Sequence, residues 1–192
     1  MNILLGFLPF LAFALLSGPL GATYALIVAA VLSAGLMLRG RLAGASPKIL
    51  EIGTLVLFIA VAIYSGLAGA SLSLIAVRLI VDCGLLAVVV VSMAVGRPFT
   101  LQYAREQVAK EFWQSPSFVR TNYIITAGWA VAFLVMVLAE AALLVVPQLP
   151  QAIGFAVIIL ALLGAAYFTQ WYAKSARKAA QPATPADHAS KA

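Results

Sequence analysis

Apolar residues in this chain come in long blocks, not in alternation with polar ones. The blocks fall at about Ile3–Leu16, Ala22–Leu38, Ile49–Leu67, Leu72–Val95, Tyr123–Val146 and Ala152–Tyr172. A helix that crosses a hydrocarbon core roughly 30 Å thick needs about 20 mostly apolar residues, so the blocks predict an all-α polytopic bundle. Ser17-Gly18-Pro19-Leu20-Gly21, Gly66-Leu67-Ala68-Gly69 and Pro147-Gln148-Leu149-Pro150 are tight, uncharged breakers, whereas Arg39–Lys48 and Gly96–Asn122 are longer and charged. The rhythm is that of three helical hairpins joined by two polar connectors. The first block is short and contains Pro9. We read it as a sixth span, with a re-entrant or interfacial segment and five spans as the alternative. A cleaved secretory signal is disfavoured because no basic n-region precedes the block.

Composition strengthens the membrane reading. Hydrophobic residues make up 64% of 192 and charged residues 9%, against about 45–50% and 25% in soluble domains. Mean hydropathy is +1.07. A net charge of +6 marks topology here, not an acidic partner, and nucleic acid is excluded as a partner. Arg39, Arg41 and Lys48 follow the second block. Arg97, Arg105, Lys110 and Arg120 follow the fourth, and Lys174, Arg177, Lys178 and Lys191 follow the sixth. Lys and Arg near helix ends are retained in the cytoplasm, so both termini are expected there. Residues 1–173 form one transmembrane domain on this reading, and 174–192, rich in Ala and Pro, a flexible cytoplasmic tail.

Ser17, Gly21, Ala25, Ala29 and Ser33 recur every four residues, as do Ala62, Gly66 and Ala70, a spacing that lets helix backbones approach closely. Three ionisable residues lie inside spans: Arg78 and Asp82 in the fourth block, Glu140 in the fifth. Arg78 falls roughly 9 Å inside the outer boundary, Glu140 at nearly the same depth, and Asp82 near the midplane. A charge there costs at least ~2.5–3.5 kcal/mol and so seeks a partner, water or a proton. Arg78 and Asp82, four apart, can pair along one helix, on an arc shared with Ser71, Ser92 and Gly96. We expect a buried Arg78–Asp82–Glu140 cluster with Tyr64 at comparable depth. It serves either as a charge-balanced clamp or as a substrate or proton site. Glu51 is expected at the solvated interface, and Cys83 to pack as a small apolar side chain.

The connector 97–116 predicts an amphipathic cytoplasmic helix with Leu101, Ala104, Val108 and Phe112 on one face. Glu106 and Lys110 would pair at i,i+4, Pro98 would start the helix and Ser115-Pro116 would stop it. Arg97, Phe99, Arg105 and the interfacial aromatics Tyr103 and Trp113 complete a surface for the membrane or a partner. No Walker loop, dinucleotide fingerprint or His-Glu-x-x-His occurs. His188 is the single histidine and Cys83 the single cysteine. No metal site, cofactor or catalytic residue is therefore expected. An intramembrane enzyme acting on lipid is a third reading, for which nothing supplies a nucleophile.

Four short stretches carry a family resemblance: Phe7-Leu8-Pro9, Tyr24-Ala25-Leu26-Ile27-Val28-Ala29, Arg97-Pro98 and Trp129-Ala130-Val131-Ala132-Phe133. In this order, over the chain up to about Tyr172, they resemble the intracellular septation protein A family of bacterial inner-membrane proteins, also called YciB-type. The family more usually has an aliphatic residue after that proline and an asparagine where Glu140 stands, which marks a divergent member. The resemblance implies a non-enzymatic scaffold or interaction protein in cell-envelope maintenance or division, in contact with the bilayer and other membrane proteins. A homo-oligomer is left open. The competing reading is a small transporter or channel-like protein built on Arg78, Asp82 and Glu140.

Overall fold

A computed structural model describes residues 3–67 and 72–180. Among the described residues the secondary structure is entirely helical: α1 (Ile3–Gly6), α2 (Leu8–Leu16), α3 (Ala22–Leu42), α4 (Ile49–Leu67), α5 (Leu74–Ala94), α6 (Phe99–Arg105), α7 (Pro116–Val145) and α8 (Gln151–Ala180). A 3-10 turn, Lys110–Phe112, interrupts the connector before α7. The helices α3, α4, α5, α7 and α8 are long and apolar enough to cross a membrane. Each also turns large apolar side chains outward, among them Val31, Ile63, Val91, Leu138 and Leu160. A soluble protein does not sustain that much exposed hydrocarbon, so the chain is a multi-pass membrane protein.

The first block does not form one rod. Pro9 has no N–H to give and clashes with the carbonyl four residues back, and the helix breaks at Phe7, leaving α2 only nine residues long. The segment is nonetheless central. Phe7, Phe10 and Phe13 are core residues. A Cβ on Gly6 would come 2.6 Å from the Tyr103 hydroxyl and 3.5 Å from Leu50, so α1 ends beside the start of α4. Ser17, after α2, meets Arg78 near the start of α5. The two ends of the segment thus lie at opposite ends of the bundle.

The aromatic interior joins stretches distant in sequence. Phe7 stacks on Trp129 with centroids 4.3 Å apart and planes 12° from parallel. Phe99 meets Trp129 edge-on at 6.3 Å, and Phe133 lies 5.7 Å from it. Ala25, Ala29 and Ser33 are buried where α3 packs on α2 and α4, as the four-residue spacing predicts. Gly21 and Gly66 are exposed, and Ala70 and Ser71 lie outside the described residues.

Helix ends follow local chemistry. Gly96 at φ 73° closes α5, its N–H reaching Met93 O while the Arg97 N–H reaches Ser92 O. Gly44 closes α3 in the same way, through Arg41 O and Gly40 O. In this closure a left-handed residue satisfies the last carbonyls, and glycine adopts that conformation without strain. Ser115 accepts from the Phe118 N–H at 3.3 Å with Pro116 at the first helical positions. Ser115-Pro116 therefore starts α7 instead of stopping the connector helix, and α7 begins seven residues before the apolar block. The expected tail is also shorter, because α8 continues through Lys174, Arg177 and Lys178 to Ala180. Residues 181–192, with His188 and Lys191, are outside the described residues.

Candidate functional site

The intramembrane residues are grouped, but not as pairs of charges. Arg78, Asp82 and Glu140 are all buried, Glu140 at 0% exposure. The Arg78 guanidinium donates from Nε and Nη2 to Ser17 Oγ at 3.2 and 2.9 Å. Its Cζ also lies 4.3 Å from the Phe155 ring centroid, within the range of a cation–π contact. The Ser17 hydroxyl donates in turn to Ala14 O at 3.1 Å. Among the described residues no ion pair joins Arg78 to Asp82 or Glu140. Asp82 Oδ2 and both Glu140 oxygens are buried without a hydrogen-bond partner. The predicted Arg78–Asp82 pair is therefore not formed, because α2 and α8 offer the guanidinium a hydroxyl and a ring face.

A Cβ on Gly154 would sit 3.5 Å from Glu140 Oε1 and 2.6 Å from Leu143, so α8 closes over Glu140 where it carries no side chain. Phe10, Phe13, Met136 and Leu162 enclose Arg78 and Asp82 around a cavity of about 20 Å³, room for about one water. Two expectations fail here. Tyr64 is 54% exposed and faces out of the bundle. Cys83 is likewise exposed instead of packed, since it follows Asp82 by one residue and so points about 100° away around the helix. Ser17 and Phe155 were missed as partners. A turn serine and an apolar-block phenylalanine carry no local sign of an arginine.

At the opposite, cation-bearing end, a second buried polar group holds the connector. Lys48 Nζ lies 2.8 Å from Glu106 Oε1 and 3.4 Å from Glu51 Oε1, with the Tyr103 ring centroid at 4.9 Å. The Glu51 carboxylate reaches back to the Lys48 N–H at 3.3 Å, and Gln102 Oε1 accepts from the Ile49 N–H at 2.7 Å. These bonds satisfy the first donors of α4. Burial pushes the Glu106 carboxyl up, but the hydrogen bond and charge of Lys48, together with the terminal amino group, outweigh it and hold the carboxyl below the ordinary range. Burial first, then the Glu51 and Glu106 carboxylates, push the Tyr103 phenol up. Glu51 is thus buried and paired, not solvated, and Glu106 pairs with Lys48 in place of Lys110. A charged Lys48-x-x-Glu51 pair just before an apolar run was the available signal.

The amphipathic helix predicted over the connector is only partly present, because α6 stops at Arg105 where Glu106 turns to Lys48. Phe99, Leu101 and Tyr103 are buried in the bundle, as is Pro98. Arg97 and Phe112 are exposed, and Val108 is half-buried. The Trp113 Nε1–H donates to Val108 O at 2.9 Å, and Arg105 lies over the Trp113 ring at 5.4 Å. The apolar face of α6 is therefore spent on the protein's own core. Thr100 fixes α6 to α7, donating to Asn122 O at 2.9 Å and meeting the Thr126 hydroxyl at 2.7 Å. No group of three or more His, Cys, Asp or Glu suited to a metal occurs among the described residues. Compared with protein-family models, curated proteins and solved structures, the chain finds no match in any of the three.

Proposed function

We propose that this multi-pass membrane protein is a non-catalytic scaffold of the septation protein A type. On this reading it lies in the bacterial cytoplasmic membrane with both termini in the cytoplasm, and serves envelope maintenance or division through contacts with other membrane proteins. The observation that carries the scaffold reading is the enclosure of Arg78 and Asp82 around a cavity of about 20 Å³. A transport route through these groups needs a wider, water-filled path. Gly6 beside Tyr103 at one end of the first block and Ser17 at Arg78 at the other favour six passes, the first a short one formed by α1 and α2. The side available to a partner is the outer connector around Lys110, Glu111 and Phe112, which are exposed.

Photo-crosslinking from position 112 in living cells tests this. A discrete membrane or division protein should be captured, and reconstituted vesicles should show no ion or solute flux that depends on Asp82 or Glu140. A flux abolished by Glu140→Gln in a variant that stays folded would overturn the scaffold in favour of a small transporter.

A further inference from the structure

A second cavity, separate from the charged cluster, opens where the connector, the first turns of α7 and the last turns of α8 meet. It has a volume of about 280 Å³, near the lower end of small-ligand sites. Its lining along α7 runs from Ser117 to Ile125, about 12 Å of helix axis. Character changes along that axis. Ile125, Ala173 and Thr169 line the deep end, and the Thr169 hydroxyl is already spent, accepting from the Trp129 Nε1–H at 2.9 Å and donating to Ala165 O at 2.8 Å. Phe112 and Phe118 add aromatic walls. Ser117, Gln107 and Arg177 line the shallow end.

Arg177 is the one charged residue lining the cavity, no acid lines it, and among the described residues no ion pair or side-chain hydrogen bond engages Arg177. The start of α7 adds a positive helix end on the same side. With thirty residues, about 45 Å, α8 outruns a core of roughly 30 Å. Its last turns, following the exposed Tyr167 and Trp171, therefore stand at headgroup level, where such aromatics collect.

We propose that this cleft binds an anionic phospholipid of the adjoining leaflet, its phosphate at Arg177 and Ser117 and the beginning of one acyl chain against Ile125 and Ala173. An apolar slot that ends in an unpaired cation at headgroup depth is complementary to that molecule. A soluble anion would leave the deep end empty, and a zwitterionic lipid would place its ammonium beside Arg177.

The full chain, purified in detergent, is mixed with equal amounts of dioleoyl phosphatidylglycerol and dioleoyl phosphatidylcholine, and retained lipid is counted by native mass spectrometry. Phosphatidylglycerol should be retained roughly 5-fold over phosphatidylcholine, the preference one basic residue supplies at a membrane surface. Arg177→Gln should remove the preference, and Ala173→Trp, which fills the slot, should lower retention of phosphatidylglycerol. Lys178→Gln, one residue away and outside the lining, should leave the preference intact. Equal loss in Arg177→Gln and Lys178→Gln would overturn the site in favour of diffuse surface charge. Unchanged retention in Ala173→Trp would assign the lipid to the general outer surface, and displacement by millimolar inorganic phosphate alone would reassign the cleft to a soluble anion.

Discussion

Arg78 bypasses Asp82, one turn away on its own helix, and donates twice to Ser17, sixty-one residues earlier in the chain. The contact ties the end of α2 to the first half of α5. Replacing Ser17 with Ala removes the acceptor and leaves a buried cation with only a ring face. Loss of about 1–3 kcal/mol is expected, read as a lower midpoint of unfolding in mixed detergent. An unchanged midpoint would mean that the guanidinium finds another acceptor at no cost.

Glu140 brings two unpartnered oxygens into the interior, so a clamp made of direct ion pairs is not what holds α5 against α7. Glu140→Met, similar in volume, removes those unsatisfied oxygens and should be neutral or should stabilise by about 1–3 kcal/mol, the cost of a buried polar group without a partner. The same unfolding assay decides it. A loss of several kcal/mol would restore the clamp.

Trp129 is covered by Phe7 and edged by Phe99. Phe7→Ala should cost about 3–5 kcal/mol and weaken the near-ultraviolet circular dichroism of the stacked indole. Phe7→Leu, which keeps most of the volume, should cost less. If both variants unfold like the parent chain, the first block is dispensable to the core.

The Lys48–Glu106 contact predicts a pH dependence. The Glu106 carboxyl is held below its ordinary range in the fold, so the unfolded chain takes up a proton first as pH falls. The stabilisation is complete above the unfolded value of about 4.3 and disappears as pH drops through the lower folded value. Glu106→Gln should therefore melt below the parent chain at pH 7 and converge with it once the folded-state carboxyl is protonated in acid. A gap that persists at low pH would show that the glutamate acts through packing and not through charge.

How much could be foreseen depended on the range of each interaction. Ile49–Leu67 emerges with the bounds its hydropathy indicates, and the ends of the other long helices shift by up to eight residues, because length and apolarity are local properties. The burial of Arg78, Asp82 and Glu140 was legible for the same reason. Their partners were not, since Ser17 and Phe155 reach Arg78 only once α2 and α8 have docked. The connector shows the same division. Its periodicity supports a helix, but Lys48, fifty-eight positions upstream of Glu106, draws the chain away after Arg105. Ser115-Pro116 is ambiguous in isolation, because serine and proline suit a helix start as well as a stop. Phe7, Phe99 and Phe133, spread over more than a hundred positions, converge around one indole at Trp129, and no local pattern announces it.

The outward turn of Cys83 changes what the native chain can report. Its thiol is too far around α5 to sense water at Asp82, yet it shares that residue's depth to within one helical rise of about 1.5 Å. A nitroxide on this single native cysteine, quenched by oxygen from the lipid side and by a polar relaxant from the water side, would measure how deep Asp82 is carried. The unmodified sequence is thus already a depth gauge for its own buried charges.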